Sequence, residues 1–162
     1  MMVEVLNNAP RLEFLFQLSA RFGDAIEIRP PGAPGLDICY FTSGNVAGPR
    51  LSGDLLCGGG DWAVYRTSDC FDIDARGVLR LAAGELVYLQ YSGIWRARAG
   101  VLPKLFAPEG FQYFVPEEHY IRVCARFRTA SERHSWLNET LAVGIGKLTS
   151  ANGIGYDFYE IA

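Results

Sequence analysis

Eighteen glycines and eight prolines break the chain at short intervals. The stretches between them are rich in β-branched and aromatic residues. Breaks this frequent leave little room for long helices and fit many short strands joined by turns. Strands are expected over residues 12–20, 25–29, 36–42, 50–56, 62–67, 71–74, 78–82, 85–92, 119–128, 140–148 and 154–161. In the first, Leu12, Phe14, Phe16 and Leu18 share one face. Over residues 119–128 the alternation is clear: Ile121, Val123, Ala125 and Phe127 take one side, and Arg122, Cys124, Arg126 and Arg128 the other. Ala83-Gly84 and Asn152-Gly153 read as hairpin turns. Pro103 opens and Pro108 closes a short helix over residues 101–107, which has no evident cap, and residues 135–137 read as a tight turn or one helical turn. About ten antiparallel strands in one sheet leave exposed edges unless the sheet closes, so the expectation is a single all-β domain over residues 1–162, an antiparallel β-barrel rather than a sandwich. Gly53, Gly144 and Gly146 suit the bends that closure needs.

Composition narrows the function. A chain of 162 residues, 49% hydrophobic and 20% charged, can bury a sizeable core. Its net charge of −3 argues against a nucleic-acid partner. No apolar run is long enough for a membrane helix, and Glu4, Arg11, Glu13 and Gln17 interrupt any leader-like segment, so a cytoplasmic protein is expected. Cys39, Cys57, Cys70 and Cys124 form no CxxC pair, and His119 and His134 match no metal-ligand spacing; neither a metal nor another cofactor is expected. The sequence carries no nucleophile elbow and no phosphate loop; Gly58-Gly59-Gly60 lacks the Lys-Ser/Thr ending and reads as a bend before a strand.

The densest local grouping runs from Ser43 to Gly53 and resumes at Gly58-Gly59-Gly60-Asp61-Trp62. If the strands beginning at Arg50 and Trp62 pair, Asp61 and Arg50 meet at a barrel mouth, where the acid can exchange protons. The plainer reading is an Asx-turn beside a surface arginine. Glu13, between apolar neighbours, is either a solvated outward carboxylate or a second, inward acid. The face carrying Arg122, Arg126 and Arg128 is either solvated or an anion site.

Gly48-Pro49-Arg50-Leu51-x-Gly53, Gly58-Gly59-x-Asp61-Trp62, Asp74-Ala75-Arg76 and Gly84-x-Leu86-Val87-Tyr88 together resemble the DUF3237 family, also called UPF0311. So do Tyr120-x-Arg122-x-x-x-Arg126-Phe127-x-Thr129, Trp136-Leu137-Asn138 and Val143-Gly144-x-Gly146. The pattern spans nearly the whole chain, with departures at Cys57, Gly60, Gly77 and His134. The resemblance implies a compact antiparallel barrel. It also implies a family in which some members of natural-product pathways close rings without a cofactor, by reactions such as intramolecular hydroalkoxylation.

On that resemblance the leading expectation is a cofactor-independent cyclase or isomerase acting on a hydrophobic, oxygen-bearing small molecule. Asp61 would deprotonate the attacking hydroxyl. Tyr88, Tyr113 or Glu13 would supply the second proton, and Arg50 or Asn138 would hold the charged intermediate. Trp62, Tyr88, Tyr113 and Trp136 would wall the pocket, with Arg122 and Asn138 as polar contacts. A non-catalytic barrel that binds a small ligand is the second reading, and a subunit of a homo-oligomer associating through its aromatic surface is the third.

Overall fold

The computed structural model describes residues 9–162; the leader-like stretch that includes Glu4 lies partly outside them. Ten strands are present: β1 (Leu12–Phe22), β2 (Ile26–Ile28), β3 (Leu36–Ala47), β4 (Ser52–Leu55), β5 (Gly60–Thr67), β6 (Cys70–Leu81), β7 (Leu86–Ala97), β8 (His119–Thr129), β9 (Ala142–Ser150) and β10 (Gly153–Ile161). They form one antiparallel sheet. From β1 the order runs β10, β9, β8, β7, β6; both β4 and β5 then bridge β6 to β3, and β3 returns to pair with β1. The sheet is thereby closed, as the edge argument requires. The short β2 folds back on β3 through Ile26, Glu27 and Ile28.

The strands run longer than glycine punctuation suggests. Residues 71–74 and 78–82 belong to one strand, β6, because Arg76 is paired on both sides, with Gly60 on β5 and Gln90 on β7. Gly77 stays within the ladder, where an added Cβ would lie 2.9 Å from Leu55 Cδ1. Likewise β3 passes through Ser43 and Gly44, whose missing Cβ lets Ser19 of β1 approach; its ideal Cβ would sit 2.3 Å from the Ser19 carbonyl oxygen.

The face expected for β1 is corrected by a β-bulge between Phe14 and Phe16. One extra residue shifts the alternation. Leu15, Phe16, Leu18 and Ala20 are buried, whereas Leu12 and Phe14 face out, Phe14 standing edge-on to Tyr159 with ring centroids 5.7 Å apart. On β8 the inward set is Ile121, Val123, Ala125 and Phe127, as its alternation implies. One part of the interior is packed solid by Phe16 against Phe158 and Phe127, at 5.1 and 6.0 Å, and by Leu79 and Leu89.

Between β7 and β8 lies the helix α1 (Val101–Leu105). Its first residues offer no side-chain cap; the cap comes from the β5–β6 turn, where Asp69 accepts hydrogen bonds from the Gly100 and Leu102 amides at 2.9 and 3.1 Å. These bonds, led by that from Gly100, hold the Asp69 carboxyl below its ordinary range. Beyond α1, Phe106 reaches back to Trp95 and Phe71. No helix among the described residues is long and apolar enough to cross a membrane.

Gly93 lies between Ile73 on β6 and Val123 on β8, and a Cβ there would stand 2.0 Å from the Arg122 carbonyl oxygen. Backbone cannot move aside as a side chain can. Gly93→Ala is expected to lower stability by about 1–3 kcal/mol. Urea unfolding followed by tryptophan fluorescence measures this; an unchanged midpoint would show that the strands separate freely here.

Candidate active site

Asp61 reaches the interior because three glycines precede it. Gly58 has a φ of +100°, and a Cβ on Gly59 would meet the Arg76 carbonyl oxygen at 2.2 Å, so the chain can enter the slot between β3 and β6 only without side chains. From there the strand period sets direction: Asp61, Ala63 and Tyr65 turn toward the interior and Trp62 turns away. Asp61 stands opposite Cys39 of β3 and Ala75 of β6. Its Oδ1 accepts a hydrogen bond from the Asp74 amide at 2.9 Å. Among the described residues nothing hydrogen-bonds to its Oδ2.

The carboxyl opens on a chamber of about 350 Å3. The turns around Asp24 and Asn152 form its rim, while Phe71, Trp95 and Phe106 wall one side and Ile73 and Tyr156 lie deeper. Burial pushes the Asp61 carboxyl up to about 7; the Asp74 amide opposes that shift and the Asp74 charge adds to it. Burial and the nearby Asp61 charge, with smaller contributions from Asp37 and Glu27, hold the Cys39 thiol protonated, at about 12. Tyr156, wholly enclosed, is raised well above the ordinary phenol range by burial, then by Tyr91 and Asp61.

A second polar group occupies the same chamber. Arg29 is 2.5 Å from Asp37 and 3.2 Å from Glu27, and the Tyr65 hydroxyl donates to Asp37 Oδ2 at 2.9 Å. Burial first, and then this hydrogen bond, raise the Tyr65 phenol. Among the described residues no group of three or more His, Cys, Asp or Glu side chains is placed to hold a metal ion.

Of the residues expected from sequence, Asp61 alone lines this chamber. Arg50 does not meet it. Strands β4 and β5 do not pair with each other; they lie end to end in the slot between β3 and β6, and the β3 partners Cys39 of Asp61 and Ala47 of Ser52 are roughly 25 Å of strand apart. Arg50 instead donates to Glu160 at 2.6 Å, with its guanidinium 3.5 Å over the Trp136 ring. Glu13 is exposed, opposite Glu160, near the start of β1, where its neighbours Leu12 and Phe14 are exposed as well.

The remaining expected pocket residues lie outside the chamber: Trp62, Tyr88 and Arg122 by strand alternation, Tyr113 and Asn138 because they sit in short helical turns. Trp62 stands edge-on to Tyr40 on the outer face. Tyr88 lines an open outer groove together with Arg128 and Asn138. Asn138 accepts from the Thr129 amide at 2.8 Å and donates to the Thr129 carbonyl at 3.0 Å, prolonging the pairing of β8. Tyr113 is half exposed beneath Lys104. Arg122 lies over Tyr120 and donates to the Ile121 carbonyl.

Sequence reasoning missed Arg29, Asp37, Tyr65, Trp95 and Tyr156. The signal available was the alternation Asp37, Cys39, Phe41 along β3. It reads as an outward polar face, because Leu36, Ile38 and Tyr40 are the more apolar set in residues 36–40.

A small antiparallel sheet closed on itself, with a buried acid facing an interior chamber, defines the class: a compact β-barrel. The chain belongs to the DUF3237 family, whose model, described as a protein of unknown function, matches residues 10–161. A UPF0311 protein of Rhodopseudomonas palustris is 28% identical over 137 residues, covering 83% of this chain and 88% of that relative. A β-barrel-like protein from Acinetobacter baumannii superposes with a TM-score of 0.81 at 28% identity, covering 98% of this chain and all (100%) of the other. An enzyme from Penicillium herquei shares the fold, with a TM-score of 0.70 at 21% identity over 99% of this chain and 100% of its own.

Two outcomes are expected. The unfolded chain ionises Asp61 near 3.8 and the folded chain near 7. Between these values the unfolded state releases a proton that the folded state keeps, so stability falls as pH rises from about 4 to about 7 and stays reduced above. The full effect is roughly 4 kcal/mol. Asp61→Asn keeps an acceptor for the Asp74 amide and removes the charge, so it should be more stable than the parent at pH 8 and similar at pH 4, read from denaturant midpoints. Parallel pH dependence in both proteins would count against a buried acid. Arg50→Met should cost about 1 kcal/mol and leave ligand affinity in the chamber unchanged, measured by calorimetry.

Proposed function

We propose that the protein is a cofactor-independent cyclase or isomerase that moves one proton within a hydrophobic, oxygen-bearing small molecule. The observation that carries this reading is the enclosed Asp61 carboxyl, balanced near neutrality and facing a chamber of ligand size. Intramolecular hydroalkoxylation needs a proton given to an alkene carbon and a proton taken from a hydroxyl. With Tyr88, Tyr113 and Glu13 outside the chamber, one carboxyl serves both ends. Asp61 in its acid form gives its proton to carbon as the hydroxyl oxygen bonds to the neighbouring carbon, and the hydroxyl proton returns to the carboxylate. The C–O bond replaces the alkene π bond and the enzyme ends as it began.

Tyr156 supports this chemistry from its deeper position. Held neutral by burial, it adds no charge to a space in which positive charge develops on carbon. The aromatic walls exclude water from a cationic carbon centre, which water would otherwise trap. The Penicillium herquei relative, an enzyme, adds weight to a catalytic reading over simple ligand storage.

Native mass spectrometry of gently purified protein identifies a retained small molecule, and turnover of that molecule tests the assignment. Asp61→Asn should lower the rate by about 100-fold or more while the ligand still binds. The parent's rate should bend near pH 7. Undiminished turnover in a folded Asp61→Asn protein removes Asp61 from the mechanism, and a ligand that remains unaltered on prolonged incubation favours the binding barrel.

A further inference from the structure

The charges around the chamber are unequal. Four acidic side chains line it, Asp24, Glu27 and Asp37 with the partly ionised Asp61, against one guanidinium, Arg29. That guanidinium is already shared: Nη1 lies against Asp37 and Nη2 against Glu27. An incoming anion would find no free cation and would face an excess of negative charge, at a cost that grows as water is excluded. Asp61 is partly buried and lines the same chamber, and among the described residues its Oδ2 has no hydrogen-bond donor. Such an acceptor can take an N–H donor from a ligand.

The walls point the same way. Tyr65, Phe71, Trp95 and Phe106 present aromatic rings to the same space. Aromatic faces attract cations, and the effect strengthens once the cation is desolvated. Acceptors at the end and rim of an aromatic sleeve suit a protonated nitrogen on an apolar body, with the N–H groups donating to carboxylate oxygens.

We infer that the chamber binds a cationic amine carrying an aromatic or alicyclic body, and that it discriminates against anionic molecules of the same shape. This inference rests on the reading of the chamber as the substrate site and narrows its substrate class to amine-bearing molecules. The outer face of Arg122, Arg126 and Arg128 takes no part, since it lies on the other side of β8.

Calorimetric titration with three probes sharing one ring system tests it: naphthylmethylamine, naphthylmethanol and naphthoate, near neutral pH and at low salt. The amine should bind about tenfold or more tightly than the alcohol, with naphthoate weakest. Added salt should weaken the amine and leave the alcohol unchanged. Asp24→Asn combined with Glu27→Gln alters only exposed rim residues and should cut the amine's advantage several-fold without changing the alcohol. Asp37→Asn, deeper in the wall, should reduce it further. Naphthylmethanol or naphthoate binding as tightly as the amine, or an amine that does not bind, overturns the inference. These affinities need no turnover, so they fail or succeed separately from proton transfer by Asp61.

Discussion

Closure of the sheet by β3 against β1 is the constraint on which the rest depends. Residues 41–47 of β3 pair with 17–22 of β1, while residues 36–40 of the same strand pair with β5 and residues 45–47 pair with β4. One strand therefore joins the first and the middle segments of the chain into a ring. Without it the sheet would have two long edges and no inside. Gly44 makes the approach to Ser19 possible, and backbone hydrogen bonds then fix which β3 residues face in. Asp37, Cys39 and Phe41 follow inward from that register, and Asp61 follows from its pairing with Cys39.

The β3–β5 corner reverses the usual polarity of a half-buried strand. Ile26, Ile28, Tyr40 and Val64 are about half exposed, and the charged Asp37, Arg29 and Asp61 line the chamber. Apolar area left in water forgoes stabilisation of about 25 cal/mol per Å2. Such an inversion indicates that the interior at this corner is a space with charged groups among apolar walls, whereas the region around Phe16, Phe127 and Phe158 keeps ordinary hydrophobic packing.

This contrast explains what was legible in the sequence. On β8 the inward residues are apolar and the outward ones cationic, so alternation alone identifies the faces. The barrel also follows from strand number and the need to remove edges. Direction fails where local pattern and global register part. On β1 a bulge shifts the phase after Phe14. On β3 the hydrophobic rule gives the wrong face because the inner face, with Asp37 and Cys39, lines the chamber. The link from Arg50 to Asp61 fails for a topological reason: proximity in sequence suggested adjacent strands, but β4 and β5 share one slot end to end, a pairing no short-range pattern encodes. For Asp61 the local pattern alone fits an Asx-turn; its inward placement follows from pairing with Cys39 and Ala75.

The chemistry available to such a chamber is set by which of its groups change protonation near neutrality. Burial raises both acids and phenols, but from different starting points. It carries Cys39 to about 12 and Tyr156 further above the phenol range, leaving both protonated. The same physical effect, applied to a carboxyl that begins near 3.8, brings Asp61 to about 7. Desolvation thus silences the weak acids and makes the strong one reversible. Arg29 pairs with Asp37, the second carboxylate of the chamber. Under the proposed function, a chamber built in this way suits reactions that return their proton to the group that gave it, and these are isomerisations.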